Sequence, residues 1–564
     1  MNRNINNTLV YSFDVFDTCL CRICGSSINV FEVMSKVIAK KLKTINNQQN
    51  VKHLCQLFVS LREEENYKGG GLDDIYNRLL ERLKIPFTKE ELIDTELSVE
   101  NNMLVPIRET ANLIESLRCK GRIVFISDIY LPSLFLKNTL KKFGLFKEGD
   151  AIYASEECKA WKSDGSLFDL VSEKEGIAFR NWHHYGDHYY SDYLIPRKKG
   201  IKPHLLSYGY IGYESQWLQG SLSWPYKSIV AGISRAMRLS FCNDKEQCKF
   251  VADLSAPLLV PWVLKVLSDA SNKGISNIFF CARDAHSAFH VAKTASALFP
   301  KIKIHYLFVS RQSIYNQTKN FLDYLESVGM LSENNVAVVD LVSTGKSSIV
   351  FNDIIRHNGG KPVTFYYLYR CNISSEIHIN NASSLNDIVE IESLYALCKV
   401  PNWARYSGVR IFFEILFTLN YHKKTIGYQK RGCQVLPILG EDDTDSWSMP
   451  SVREKKSYND KLLTFFTEAL IKTESVDYYN EILQNLSLPT WESFIEFPKR
   501  EYLDYLHELK INGKHFVDVN LPFRKTKSEW IRGGHVFSLP RRFADKWFNY
   551  YIWLKRNVSR RRSF

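Results

Sequence analysis

The sequence lacks the features that mark membrane-spanning and secreted proteins. No apolar run approaches the roughly 20 residues that a helix needs to cross a bilayer. The longest apolar run, Ala256 to Leu267, is interrupted by Pro257 and Pro261. The first residues, Met1 to Thr8, are polar and contain no apolar signal core. We therefore expect a cytoplasmic protein, with peripheral contact at the inner face of the membrane as an alternative.

The sequence also lacks the two cysteine pairs that a zinc finger needs. Its 12 cysteines are scattered, apart from a cluster at Cys19, Cys21 and Cys24 that includes a C-x-x-C spacing. No second pair follows at the spacing of a zinc finger. The pattern favours packed thiols near a strand end over a zinc site, and it is typical of a reducing compartment.

A continuous basic pattern is absent as well. The chain of 564 residues has a formal net charge of +13, from 74 Lys and Arg against 61 Asp and Glu. Residues 541–564 hold eight Lys or Arg and one Asp, so +7 of this +13 lies in the last 24 residues. A nucleic-acid groove needs positive charge along its whole binding face. We therefore predict no nucleic-acid partner.

Length and composition indicate several folded α/β and helical regions. A chain of this length exceeds what one hydrophobic core holds, and 45% hydrophobic with 24% charged residues is ordinary for folded protein. We predict a Rossmann-like α/β domain at 1–220, with a helical insert at about 26–105, and a second Rossmann-like α/β domain at 221–400. A mostly helical C-terminal region is predicted at 401–564.

Polar residues follow the predicted strands of the first region. Val10–Phe13 is a β-branched and aromatic run that fits a buried strand, and Asp14 follows it directly. Ser127 follows a second apolar strand, Lys162 a third and Asp187 a fourth. Ligands of open α/β sheets bind outside the carboxyl ends of the strands. These side chains are therefore predicted to meet at one crevice.

In this order the four motifs resemble those of the haloacid dehalogenase (HAD) superfamily, over residues 1–220. The resemblance implies that Asp14 is the nucleophile and that Asp14 and Asp187 bind Mg²⁺. Ser127 and Lys162 would bind the phosphate of a small phosphorylated substrate. Lys162 is preferred to Lys159 because it precedes a glycine and an apolar helix start, as in the family. The helical insert would be the cap that closes over the crevice and excludes water.

Three further polar residues lie near the fourth motif. Asp192 follows Asp187 by five residues and is predicted to orient Lys162 or metal-bound water. His183 and His184 are predicted to be strand residues, since imidazole suits softer metals than magnesium.

One position departs from the family's pattern. HAD phosphatases carry a second Asp two residues after the nucleophile, as general acid for the leaving group, whereas this chain has Phe16 there and Asp17 next. In an extended strand a shift of one residue points the side chain to the other face. Asp17 is therefore a candidate acid only if the chain turns sharply. Loss of a positioned acid costs about 100- to 10,000-fold in rate, which a good leaving group or a dehalogenase-like reaction would tolerate.

The second region also places polar residues after its predicted strands. The last of them resembles the loop of type I phosphoribosyltransferases, in which an acid binds ribose hydroxyls before a Thr-Gly turn; here only one acid, Asp340, is present. The domain at 221–400 is therefore predicted to be Rossmann-like or phosphoribosyltransferase-like. The alternative is a strand, a glycine turn and a helix without a ligand. The series also resembles the second half of HAD-like proteins encoded among bacterial surface-polysaccharide genes. The candidate substrate-binding residues are Arg283, Asp284, Arg311, Asp340, Gly345 and Lys346.

The last residues, 541–564, place Phe543, Trp547, Tyr550 and Leu554 on one helical face with basic residues at both ends. Such a helix would lie on an anionic membrane or dock on the protein body, and we favour docking.

The predicted function is Mg²⁺-assisted hydrolysis or phosphoryl transfer on a phosphorylated sugar, in surface-polysaccharide biosynthesis. The alternative is a non-catalytic HAD scaffold that supports a glycosyl- or phosphoribosyl-handling second domain. The sequence carries no signal for the oligomeric state.

Overall fold

A computed structural model provides the structure of the protein. It describes residues 9–43, 51–219, 225–241, 244–316, 320–332, 335–343, 345–370, 388–389, 423–440 and 450–496, with residues 502, 505, 510–511 and 514–515. The predicted C-terminal helix at 541–564 lies outside these residues.

The chain divides into two compact units, and this division differs from the predicted boundaries. The first unit is Met1–Lys245 with Ala469–Ser475, and the second is Glu246–Glu468 with Val476–Phe564. The first unit thus extends beyond residue 220, and the C-terminal region belongs mainly to the second unit.

The first unit is built on a parallel sheet of five strands in the order β5-β4-β1-β6-β7. The strand β1 pairs with β4 on one side and β6 on the other. The chain leaves β1 towards β4 and β5 and then returns to β6 and β7, so the topological switch point lies between β1 and β6. The strands are β1 Val10–Phe13, β4 Arg122–Ser127, β5 Ala151–Ala154, β6 Trp182–Gly186 and β7 Lys202–Leu205.

The predicted helical insert consists of four helices, carried on a pair of short antiparallel strands, β2 Leu20–Arg22 and β3 Leu104–Pro106. Its last helix starts at a capping box, in which Thr88 accepts from the Glu91 N–H and the Glu91 carboxylate accepts from the Thr88 N–H. The insert helices are α1 Ser27–Lys43, α2 Val51–Tyr67, α3 Leu72–Arg82 and α4 Lys89–Met103.

Side chains of β1 alternate between two apolar clusters, as a strand buried on both faces requires. Tyr11 and Phe13 pack into one cluster, and Val10 packs into the other with Val124. The remaining helices of the unit cover the two faces and the sheet edges. They are α5 Arg108–Arg118, α6 Ser133–Lys142, α7 Ser155–Cys158, α8 Ser166–Glu175, α9 Ile195–Lys198, α10 Gly212–Leu218 and α11 Pro225–Ser240.

The second unit has its own parallel sheet of five strands, in the order β12-β11-β10-β8-β9. Its described part also contains an antiparallel hairpin, β13 Thr425–Arg431 with β14 Gln434–Leu439, inside the region that the sequence predicts to be mostly helical. The sheet strands are β8 Asn277–Cys281, β9 Lys303–Leu307, β10 Val336–Ser343, β11 Thr364–Arg370 and β12 Ile388–Val389. A further short antiparallel pair is formed by β15 Lys510–Ile511 and β16 Lys514–His515.

The helices of the second unit flank this sheet and include one long apolar helix. The helical segment Lys245–Asn272, which contains α12 and α13, is long and apolar enough to cross a membrane. Of its most apolar stretch, 94% is buried inside the protein, as in a core helix. The helices are α12 Lys245–Phe250, α13 Ala256–Asn272, α14 His286–Thr294, α15 Arg311–Tyr315, α16 Phe321–Ser327, α17 Lys346–His357, α18 Pro450–Lys472, α19 Tyr479–Ile482 and α20 Leu488–Glu496.

Candidate active site

Asp14 lies at the carboxyl edge of the first sheet, where three neighbouring strands end. Its backbone N–H donates to the Tyr185 carbonyl at 2.8 Å, which continues the β1–β6 pairing one residue beyond the strand. The carboxylate is buried, with 6% of the residue exposed. Ser127 is the last residue of β4 and is also buried, and Asp187 follows β6 directly.

Lys162 connects this edge to a second carboxylate. Its Nζ lies 2.6 Å from Asp14 Oδ1 and 2.6 Å from Asp192 Oδ1, and only 3% of the residue is exposed. The Lys162 backbone N–H donates to Asp128 Oδ1, which fixes the loop between α7 and α8. Lys159 adopts the left-handed conformation, with φ of 49°, and pairs with Glu156 at the surface. The structure thus brings Lys162, and not Lys159, to Asp14.

A chain of buried hydrogen bonds holds Asp192 in place. His184 Nε2 lies 3.2 Å from Asp192 Oδ1, and His184 Nδ1 lies 2.7 Å from Ser12 Oγ. Since a neutral imidazole donates from one nitrogen only, Nε2–H donates to Asp192 and Ser12 O–H donates to Nδ1. Trp182 Nε1–H then donates to Ser12 Oγ at 2.6 Å. His184 is therefore a strand residue that positions Asp192, and Ser12 and Trp182 are positioning residues that the sequence did not reveal.

Gly186 makes room for this arrangement. A Cβ at this position would lie 2.4 Å from the Asp192 Cγ, closer than atoms can approach. The other Asp192 oxygen, Oδ2, accepts from the His188 N–H at 3.0 Å. Both Asp192 oxygens are thus used within the protein, which agrees with an orienting role.

The charges at this edge do not balance. Burial raises the pKa of Asp14 well above its ordinary value, and the negative charges of Asp192 and Asp187 raise it further, against the opposing charge of Lys162. Burial opposes ionisation of Asp192 too, but Lys162 and His184 lower its pKa overall. Three carboxylates against one ammonium leave two negative charges uncompensated when all are ionised. A divalent cation would neutralise them.

The donor set fits magnesium. One oxygen from each of Asp14, Asp187 and Asp192 lies within 4.8 Å of the others, and hard carboxylate oxygens are the ligands that Mg²⁺ prefers. Because Asp192 is engaged by Lys162 and His188, the ligands would be Asp14 and the exposed Asp187. Thr18 Oγ1–H donates to Asp187 Oδ1 at 3.3 Å and orients it, a role that the sequence analysis missed.

Comparisons with known proteins agree with this arrangement. No protein-family model matches the chain. Over 72 residues it is 35% identical to Haloacid dehalogenase-like hydrolase domain-containing protein 3 from Danio rerio, a match that spans 13% of this chain and 30% of that protein's length. The order of the strands and the motif residues at their ends agree with this resemblance.

The first unit resembles a HAD-type domain, and we call it the HAD-type domain.

Three solved structures are similar to part of the chain. A HAD family enzyme from Bacteroides thetaiotaomicron is 13% identical, over 36% of this chain and 95% of that one, with a TM-score of 0.27. A HAD phosphatase from Thermococcus onnurineus is 18% identical, over 36% and 89%, with a TM-score of 0.27. The L-2-haloacid dehalogenase from Xanthobacter autotrophicus is 13% identical, over 40% and 87%, with a TM-score of 0.29.

The HAD-type domain turns sharply after Asp14, at the position where the sequence departs from the family. Asp17 has a φ of 54°, and its N–H donates to the Leu20 carbonyl. Desolvation raises the pKa of Asp187, and the charge of Asp17 raises it further, so Asp17 lies near the site. Its Oδ1, however, accepts from Arg235 Nη1 at 2.7 Å. The sharp turn that Asp17 needs is present, but its carboxylate is bound to a guanidinium.

Phe16 takes no part in hydrogen bonding at the site. The guanidinium of Arg22 lies over its ring, 4.3 Å from the centroid, and Arg22 is paired with Glu100 of the cap. Phe16 therefore packs against Arg22 of β2, the strand that leads into the cap. It does so at the position where HAD phosphatases carry their acid.

A buried ion pair inside the cap of the HAD-type domain is contacted by the loop that follows β4. Arg62 and Glu96 make two hydrogen bonds, at 2.9 and 2.8 Å, and are almost completely buried. Tyr130, three residues after Ser127, donates its hydroxyl to Glu96 Oε1 at 2.8 Å. Its ring also covers Arg62, whose guanidinium carbon lies 4.9 Å from the ring centroid. The loop that carries Ser127 is thus tied to the interior of the cap.

The residues predicted in the second region are placed in the second unit. Arg283 and Asp284 follow β8, and Asp340 lies in β10. Arg311 is exposed and begins α15 after β9. Gly345 precedes α17 with a φ of 82°, and the side chain of Lys346 lies outside the description.

Proposed function

We propose that the HAD-type domain is a Mg²⁺-dependent hydrolase or phosphotransferase for a small phosphorylated sugar, with Asp14 as nucleophile. The observation that carries this proposal is the Asp14 carboxylate, held at the sheet edge by Lys162, with Asp187 beside it. The proposed role in surface-polysaccharide biosynthesis rests on the resemblance of the second region alone. The proposed partner is the small substrate, in the cytoplasm; membrane contact through residues 541–564 stays a prediction.

In the proposed reaction, a carboxylate oxygen of Asp14 attacks phosphorus, and the leaving group departs with the electrons of its bond to phosphorus. Water then attacks the phosphorus of the aspartyl phosphate, which returns the Asp14 carboxylate and releases inorganic phosphate. Lys162 and Ser127 would bind the phosphoryl oxygens as charge develops on them. Bound Mg²⁺ would reduce the repulsion between the carboxylates and the phosphate.

The missing acid restricts the substrate. Phe16 has no proton to give, and Asp17 accepts a hydrogen bond from Arg235. A leaving group that needs no proton, such as an aryl oxide, should therefore leave well, whereas the alkoxide of a sugar phosphate should leave poorly, so we expect slow turnover of the proposed phosphorylated sugar. The same observation favours the second candidate, a HAD scaffold that has lost catalysis and supports the second unit.

A panel of phosphate esters separates the two candidates. Phosphate release from p-nitrophenyl phosphate, glucose 6-phosphate and glucose 1-phosphate would be measured with Mg²⁺ and with a chelator. The hydrolase predicts Mg²⁺-dependent release, fastest from the aryl ester. No release from any ester, with or without Mg²⁺, would leave the scaffold as the better account.

A further inference from the structure

The cap is connected to the sheet by two linkers, residues 15–26 and 103–107, which contain the paired strands β2 and β3. Beyond the strands, the Ile23 N–H of the first linker donates to the Met103 carbonyl of the second at 2.8 Å. A cap of this kind opens through backbone changes at a few residues of its linkers. An element that is bound to both linkers therefore restricts the opening of the cap.

The helix α11 is in backbone contact with the first linker. A Cβ on Gly232, in the middle of α11, would lie 2.3 Å from the Gly25 nitrogen and 2.5 Å from the Gly25 Cα. Gly25 has a φ of 92°, and a Cβ there would lie 3.0 Å from the Ser228 carbonyl oxygen. Only hydrogen fits between the two backbones, so both positions require glycine. The first linker and α11 are thus in direct contact, with no side chain between them.

Side chains bind α11 to the same linker at two further points. Arg235 is buried, with 5% of the residue exposed, and its Nη1 donates to Asp17 Oδ1 at 2.7 Å. A hydrogen bond between two charged groups is stronger than one between neutral groups. Asn29, in the first turn of α1, donates from Nδ2 to Ser228 Oγ at 2.7 Å and to the Cys24 carbonyl at 2.6 Å. These contacts hold the first linker at both of its ends.

The same helix is bonded to the second linker and is fixed in the domain. The Ser240 hydroxyl, at the end of α11, donates to the Pro106 carbonyl of β3 at 3.3 Å. Arg238 makes two hydrogen bonds of 2.9 Å to the buried carboxylate of Glu214 on α10. Residues 229–237 of α11 are all buried. A helix that is buried and bonded in this way is a fixed part of the domain, so its contacts oppose movement of either linker.

We propose that α11 is a clamp on the hinge of the cap, which holds both linkers and restricts the opening of the cap. The cap then opens only as far as α11 yields. Because Arg235 is bonded to Asp17, the loop after Asp14 is held by the same helix. The clamp concerns the movement of the cap and does not depend on the reaction at Asp14, so its test is independent of the proposed hydrolase.

Hydrogen exchange of the full chain, measured by mass spectrometry, tests the clamp. The reporters are peptides that contain Ile23 and Ile107, whose N–H groups are bonded between the linkers. Gly232→Ala places a Cβ against the Gly25 backbone, although alanine is otherwise the better helix former. Exchange of both peptides should accelerate by at least about tenfold, because overpacking of a rigid contact lowers the local stability. Gly71→Ala on the cap is the matched control, since its Cβ meets nothing closer than 3.9 Å.

Two milder variants keep the proposal testable if Gly232→Ala does not fold. Ser228→Ala removes the hydrogen bond from Asn29, and Ser240→Ala removes the one to the Pro106 carbonyl. Each should accelerate exchange of both linker peptides by about fivefold, the effect of one neutral hydrogen bond, and leave peptides of β4 unchanged. Equal acceleration in β4 would mean that α11 supports the whole domain, and unchanged exchange of either linker peptide in all folded variants would mean that α11 does not hold the hinge. Either result would overturn the proposal.

Discussion

Each of the two sheets of this protein has a topological switch point, and the two points differ in the side chains that lie there. In each, the first strand along the chain, β1 or β8, is flanked by strands that the chain reaches in opposite directions. The loop after each strand contains a non-glycine residue with positive φ, 54° at Asp17 and 69° at Arg283. At the first edge Lys162 joins two carboxylates, whereas at the second Tyr306 joins a backbone N–H to an imidazole. Topology thus sets where a site forms, and side chains set its chemistry.

The two sheets also differ in whether a helical insert follows their first strand. Between β2 and β3 the first sheet carries the four-helix cap, which is tied to the Ser127 loop through Tyr130. Within residues 244–316 the second sheet has no such insert, since α14 begins five residues after Cys281. A cover that excludes water suits a reaction at a charged phosphate. This difference agrees with the proposal that the first sheet carries the catalytic site.

The largest expected effect separates the two edges directly. Asp14→Asn removes the proposed nucleophile and should lower turnover of p-nitrophenyl phosphate by about 1,000-fold or more. Asp169→Asn, an exposed carboxylate on α8, should behave like the wild type. Asp340→Asn should also retain turnover, because it lies in the other unit. Steady-state kinetics on the three variants checks this, and an equal loss in Asp340→Asn would contradict the assignment of catalysis.

The next effect concerns the missing acid. Wild type should hydrolyse the aryl ester about 100- to 10,000-fold faster than an alkyl phosphate, because no positioned group protonates the alkoxide. Phe16→Asp should narrow this ratio by at least about tenfold, and Phe16→Asn, which donates no such proton, is its control. Equal rates for both esters in wild type would mean that another group donates, with Asp17 the first candidate.

Magnesium should raise the melting temperature of the protein through the first edge and not through the second. Ligand at 100 times its Kd stabilises the folded state by about 2.7 kcal/mol, so Mg²⁺ should raise the melting temperature of wild type. Asp187→Asn should remove this shift, and Asp284→Asn at the second edge should keep it. Differential scanning fluorimetry at several Mg²⁺ concentrations provides the measurement. A shift that survives Asp187→Asn would place the metal elsewhere.

The smallest effect tests the tie between cap and sheet. Tyr130→Phe keeps the ring over Arg62 and removes the hydrogen bond to Glu96, which is worth about 1 kcal/mol. We expect kcat/KM for the aryl ester to fall by up to about fivefold. Tyr67→Phe, on the same cap and 81% exposed, is the control. If Tyr130→Phe matches the wild type in both melting temperature and kcat/KM, the contact does not hold the cap.

The fold of the first unit could be predicted from local patterns. Val10–Phe13 is apolar and β-rich, and Asp14 follows it, so strand and edge are both visible in the sequence. The convergence of the four motif residues could be predicted as well, since the carboxyl ends of parallel strands lie at the same edge of a sheet.

Long-range polar contacts could not be predicted in this way. Ser12 and Trp182 are 170 positions apart and meet only because β1 pairs with β6. The boundary of the first unit could also not be predicted from the sequence. Its helix α11 packs back on the unit through Arg235, which binds Asp17, and through Arg238, which binds Glu214. Composition around residue 220 gives no sign of these contacts.

The most direct test of the central claim is to trap the aspartyl intermediate. The protein would be mixed with Mg²⁺ and p-nitrophenyl phosphate, quenched in acid, digested and analysed by mass spectrometry. The account predicts a phosphoryl group on the peptide that contains Asp14, present in wild type and Asp169→Asn and absent from Asp14→Asn. Phosphate release without that adduct at any quench time, or an adduct on another residue, would contradict the claim that Asp14 is the nucleophile.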